Sequence, residues 1–157
     1  MSRPIIAITM GDATGVGAEV IMKSLAHALL YERCRPLVIG DAGRLRLAGS
    51  IVGSALEVNP VAEVGEGKYR LGTVDCIDLA LIPVDLGWGR LSPIAGDAAF
   101  RFIAKAVELV QRGEVDAICT APLNKEALQM GGHYSAKPRA AIVKTDVRNL
   151  LCIFSSL

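Results

Sequence analysis

Net charge, histidine, aromatic rings and long apolar runs are all in short supply in this chain, and each shortage removes a class of explanation. The 17 basic and 16 acidic residues leave a formal charge of +1, so no overall field draws the protein to nucleic acid or to an anionic membrane surface, and a partner must be recognised at a local site. No apolar stretch approaches the ~20 residues of a membrane-spanning helix. The run after Arg3 breaks at Gly11-Asp12, too soon for a secretory-signal core of about 7–15 residues, so the expected location is the cytoplasm. Cys34, Cys76, Cys119 and Cys152 stand far apart with no C-x-x-C pair, which fits reduced thiols rather than a disulfide framework or a structural zinc site.

What the chain does have is a core. With 52% apolar residues in 157, it suits one domain, and its apolar character reads as a buried parallel sheet. The organising stretch is Pro4-Ile5-Ile6-Ala7-Ile8-Thr9-Met10-Gly11-Asp12-Ala13-Thr14-Gly15-Val16-Gly17-Ala18-Glu19. A strand-length apolar run is followed by a glycine-spaced turn, then by a helical pattern in which Val20, Ile21, Leu25, Ala28 and Leu29 share a face. Gly11, Gly15 and Gly17 are neither the dinucleotide fingerprint nor a phosphate loop ending in Gly-Lys-Ser/Thr. Two readings stay open. The turn holds an anion against the free N–H groups of the helix, or it is a structural strand-to-helix turn with Asp12 or Thr14 as N-cap and Glu19 answering the dipole.

Further along, the pattern predicts a helix over 17–32, ended by Arg33-Cys34-Arg35-Pro36, with His27 on its face as an ordinary helix residue. A strand Pro36–Asp41 follows, then a helix over 42–47 capped by Asp41. This alternation is that of a parallel α/β sheet with right-handed crossovers. Segments 55–58, 69–72 and 77–84 read as strands without helices between them, hence as an antiparallel insertion or edge element. The loop Asp85–Ser92 carries Trp88, the single tryptophan, either packed or presented to a partner. Ser92-Pro93 signals the start of the longest helix, with Ala99, Phe102, Ile103, Ala106, Val107 and Val110 on one face and Gly113 closing it. A buried strand over 115–122 then leads through Thr120-Ala121-Pro122-Leu123-Asn124-Lys125 into another helix. Ligands gather at strand carboxyl ends in such sheets, so this turn and Gly11-Asp12 are expected on one rim.

Two of these segments carry a resemblance. Met10-Gly11-Asp12-Ala13-Thr14-Gly15-Val16-Gly17-Ala18-Glu19 resembles the G-D-P-A-G-x-G-P-E opening of the 4-hydroxythreonine-4-phosphate dehydrogenase family. The run Gly89, Ser92, Gly96, Ala98, Ile103, Ala106, Gly113, Asp116-Ala117 and Thr120 to Leu128 resembles that family's second signature. The likeness covers about residues 3–133, with Ala13 and Ala18 where the family usually has prolines. It implies a three-layer α/β/α fold with a mostly parallel sheet, like that of isocitrate and isopropylmalate dehydrogenases, and a cytoplasmic homodimer whose site lies between two domains. It further implies NAD and a divalent metal (Zn, Mg or Co) used to oxidise a phosphorylated hydroxy acid such as 4-phosphohydroxy-L-threonine, with decarboxylation of the β-keto acid, in vitamin B6 synthesis. Relatives act on threonate or erythronate phosphates or on dihydrodiols.

The chain also departs from that pattern. The family's G-H-T-E segment should follow Leu128, but the residues are Gly131-Gly132-His133-Tyr134-Ser135, and His133 reads as a surface loop residue. From Tyr134 to Leu157 the likeness vanishes, which suggests a shifted frame or a truncation, with a second, cofactor-binding lobe absent. A purposeful short paralogue is the rival reading. His27 and His133 are the only histidines, so the family's three-histidine metal site cannot be rebuilt from one chain. The resemblance is thus compatible with an inactive chain or a non-catalytic binding module. Apolar surface left by an absent lobe would favour a homo-oligomer. The candidate substrate-rim residues are Asp12, Thr120, Asn124 and Lys125: Lys125 to steer a phosphate, Asp12 to bond a hydroxyl or brace the turn. No general base can be named.

Overall fold

The computed structural model describes residues 3–133. Strands β1 (Ile5–Thr9), β2 (Arg35–Gly40), β3 (Glu57–Val61), β4 (Thr73–Asp78) and β5 (Ala117–Thr120) form one sheet in the order β3-β4-β2-β1-β5. Every pairing is parallel. Between them lie the helices α1 (Gly17–Ser24), α2 (Ala28–Arg33), α3 (Ala42–Ile51), α4 (Pro93–Gln111) and, after β5, α5 (Lys125–Met130). The steps β1 to β2 and β2 to β3 move one way along the sheet, and β4 to β5 moves back. Right-handed crossovers therefore set α4 on the face opposite α1 and α3, which gives three layers.

The core follows from this layering. Ala7, Leu37, Val38, Ile39, Val74 and Cys76 of the central strands are fully buried, as are Phe102 and Ala106 of α4. Burying each larger apolar side chain contributes roughly 2 kcal/mol. Strands covered on both faces need no polar alternation, which is why β2 reads as a continuous apolar run. Ser92 caps α4 through Ala95 N–H, with Pro93 at the first position, and Asp41 caps α3 by accepting from Arg44 N–H at 2.8 Å, both as the sequence predicts.

Three expectations fail. The antiparallel element does not exist: β3 pairs with β4 in parallel, Val58 opposite Val74. Its connection, residues 62–72, contains only a 3-10 turn at Val64–Glu66, so the missing helical period misleads; Tyr69–Gly72 is a turn and β4 ends at Asp78. The predicted 17–32 helix is two helices, because Ala26 and His27 N–H bond back three residues instead of four. The bend re-aims α2 so that Tyr31 is buried and its hydroxyl donates to Thr73 O at 2.9 Å; His27 becomes the exposed N-cap of α2. Finally, neither Asp12 nor Thr14 caps α1, whose N-cap is Val16 without a side-chain bond. Segment 134–157 lies outside the described residues.

Candidate functional site

The rim is built at the carboxyl ends of β1 and β5, where Thr9 stands in register with Thr120. Past those ends, Asp12 N–H donates to Pro122 O at 3.0 Å. The turn after β1 is thereby stitched to the turn that leads through Asn124 into Lys125, and all four candidates lie on one rim. Gly11 sits at φ +71°, and a Cβ there would collide with Pro122 O; one at Gly17 would collide with Met10 O. Gly15 has neither constraint. The space given up by Gly11 and Gly17 is filled by the protein's own carbonyls, so these glycines serve close packing of the turn rather than an open phosphate cradle.

Each candidate has a defined local role. Asp12 is 8% exposed, and its Oδ1 accepts from Thr14 N–H at 3.0 Å and Thr14 Oγ1 at 2.9 Å. Its carboxylate braces the turn. Asn124 caps α5, its Oδ1 accepting from Glu126 and Ala127 N–H at 3.0 Å each. Thr120 is half-buried at the end of β5. Lys125 is exposed and makes no ion pair with the described residues, which leaves its ammonium available to an anion. Glu19 stands in the first turn of α1, as the helix dipole favours.

The residue that sequence reasoning missed is Arg44. It is 2% exposed, yet it lies on α3, next to the rim. Its Nε donates to Ala13 O in the glycine turn at 2.6 Å and Nη1 to Leu86 O at 2.8 Å. The guanidinium lies 3.3 Å from the centre of the Trp88 ring, a stacked cation–π contact. Nη2 is buried and has no partner. Burial draws the Arg44 pKa down while Asp41 and Asp12 push it back; a guanidinium so placed stays charged. Gly89 N–H donates to Thr14 O at 2.8 Å, so the Trp88 loop closes over the glycine turn. Trp88 is packed. Its isolation in a glycine-rich loop was the one signal in the sequence that an interior cation needed a ring.

His133 is also better held than a surface loop residue. Its ring stacks on Phe100 at 3.8 Å between centroids, and Nε2 lies 3.0 Å from Asp97 Oδ1. Asp97 is paired with Arg101 at 2.8 Å. This cluster borders an open hollow of about 430 Å³ whose walls include Pro93, Ile94, Asp97, Arg101 and Met130. None of Asp12, Thr120, Asn124 and Lys125 lines it. Among the described residues no group of three His, Cys, Asp or Glu side chains converges on a point where a metal ion would bind, and no helix is long and apolar enough to cross a membrane. The described residues therefore do not fit a divalent metal, nor do the filled glycine positions fit a dinucleotide pyrophosphate.

Residues 32–156 match the model of the family described as pyridoxal phosphate biosynthetic protein PdxA. That span takes in all but the last residue of the segment after His133. The chain is 59% identical over 130 residues to the D-threonate 4-phosphate dehydrogenase of Cupriavidus necator, covering 83% of this chain and 39% of that protein. The fold superposes on a crystal structure of a 4-hydroxythreonine-4-phosphate dehydrogenase from Burkholderia phymatum with a TM-score of 0.88 and 56% identity, over 95% of this chain and 46% of that one. A Klebsiella pneumoniae enzyme of the same name gives 0.78 and 39%, over 84% and 40%. The chain thus spans under half the length of the relatives it matches.

Proposed function

This chain belongs to the PdxA family, and on that premise we propose that it is the sheet-bearing N-terminal part of an NAD-dependent, metal-assisted dehydrogenase of a phosphorylated hydroxy acid. The observation that carries the reading is the 59% identity to a D-threonate 4-phosphate dehydrogenase across 130 residues, so threonate 4-phosphate is the substrate proposed first and 4-phosphohydroxy-L-threonine second. In this reading the Gly11–Gly17 turn and the 120–125 turn form one wall of the crevice. Lys125, exposed at that wall and without an ion pair to the described residues, steers the phosphate, and Asp12 keeps the turn in shape. The metal and the nicotinamide, which would polarise the hydroxyl and accept the hydride, are assigned to the part of the relatives this chain does not span. The complete enzyme is proposed to be a cytoplasmic homodimer.

A second reading is favoured by the lack of a three-ligand cluster among the described residues: the chain alone binds a phosphorylated acid and turns nothing over. Purified protein mixed with NAD, Mg²⁺ or Zn²⁺ and threonate 4-phosphate is expected to show no rise in NADH absorbance, while calorimetry shows saturable binding of the phosphorylated acid. Metal-dependent NADH formation would overturn the inactivity. Absence of any binding would overturn the rim as a ligand wall and leave the ancestry alone.

A further inference from the structure

We infer that Arg44 is the positioning residue of this rim: it fixes the glycine turn and the Trp88 loop relative to one another, and so sets the shape of the wall that a ligand's oxyanion meets. The inference rests on the reading of the rim as the wall that receives a phosphorylated acid. Three observations carry it. The guanidinium bridges two loops far apart in sequence, through Ala13 O and Leu86 O, so neither loop moves without breaking a charge-assisted bond. The Trp88 ring of the second loop lies 3.3 Å from the same guanidinium, while Asp12 and Asp41, whose charges favour its ionised form, spend their oxygens on Thr14, Arg44 N–H and Ile82 N–H. And Nη2, buried, has no acceptor among the described residues.

A buried cation that only stabilised the fold would be expected to have every donor filled, because an unmet donor costs about 1–3 kcal/mol. Lysine would not substitute. A single ammonium cannot donate to two carbonyls in the plane of a fork while lying flat on an indole. Arg44 therefore acts through the turn it holds, on a ligand it does not itself touch.

The test uses the full chain and inorganic phosphate, read by the emission of Trp88, the only tryptophan, and by calorimetry across a range of salt concentrations. Arg44→Met and Arg44→Lys, neither of which can hold both carbonyls, are each expected to weaken phosphate binding about tenfold while leaving the dependence of log Kd on log salt as it is, since the charge that meets the ligand belongs to Lys125. Melting curves correct for the folded fraction. If Arg44→Met lowers the melting temperature yet leaves Kd unchanged, the residue is only structural and the inference falls while the rim reading stands. If Arg44→Met does not fold, Arg44→Lys decides: an unchanged Kd there overturns the positioning role. A wild-type chain that binds no phosphate refutes the rim reading, and this inference with it.

Discussion

Arg44 and Asp75 are both 2% exposed, and neither has a salt bridge to a described residue, yet the protein treats the two charges differently. Asp75, on β4 beside the β3 edge, has both oxygens filled: Oδ1 accepts from Asn59 Nδ2 at 2.7 Å and Oδ2 from Tyr69 N–H at 2.7 Å. Arg44, next to the rim, keeps one nitrogen without an acceptor. A buried charge whose hydrogen bonds are saturated from its own sheet edge belongs to the scaffold. A buried charge left partly unmet, spanning two loops at strand carboxyl ends, belongs to a site. Breaking the first should cost stability and little else.

The largest effect is therefore expected at the edge. Asp75→Ala leaves Tyr69 N–H and the Asn59 amide without their acceptor and should cost about 3 kcal/mol in urea denaturation. A cost near zero would mean that water replaces the carboxylate and that Asp75 is no keystone. At the rim, Gly11→Ala forces a Cβ toward Pro122 O at φ +71° and should cost about 2 kcal/mol. Gly15→Ala, with ordinary space around it, should stay within about 0.5 kcal/mol. Equal costs at the two glycines would contradict the close approach of the β1 and β5 turns.

A smaller effect separates cap from ligand contact within the rim. Asn124→Ala removes the acceptor for two N–H groups of α5 and should lower stability by about 1 kcal/mol. Lys125→Ala, an exposed residue without an ion pair to the described residues, should change stability by less than about 0.5 kcal/mol while weakening phosphate binding. If Lys125→Ala leaves binding untouched, the rim loses its only proposed phosphate contact.

Much of this was legible in the sequence because it is local. The apolar run of β1, Asp41 before α3 and Ser92-Pro93 before α4 each act within four residues, and capping chemistry needs nothing more. The adjacency of the two turns was also legible, since strand-helix alternation puts strand carboxyl ends together. What could not be read is long-range. Strands β3 and β4 lack a helix between them, and without helical periodicity nothing in the sequence distinguishes a parallel crossover from a hairpin. Arg44 carries no local signal because its partners lie 31 and 42 positions away. Asp12 was expected to cap α1, to bond a ligand hydroxyl or to brace the turn; its Oδ1 accepts from Thr14, two residues on, which braces the turn and leaves α1 uncapped by it.

The subtlest test of the edge cluster is alkaline. Tyr31 and Tyr69 are both pushed up to about 12, first by burial and then by the negative charge of Asp75. An unfolded tyrosine ionises near 10, so between about pH 10 and pH 12 the unfolded chain has lost protons that the native state still holds. Stability must fall with rising pH across that window, being fully present below it. Wild-type protein is expected to show a decline in urea midpoint beginning near pH 10, and Asp75→Asn, which removes the charge but keeps an amide of similar shape, to bring the native phenols back toward their ordinary range, so that the decline still begins near pH 10 but is smaller and ends at lower pH. The described rim has no such pair of raised phenols, so Arg44→Met, which adds no titrating group, should leave the alkaline slope as it is. An alkaline decline that ignores Asp75→Asn but responds to Arg44→Met would reverse the assignment of scaffold and site.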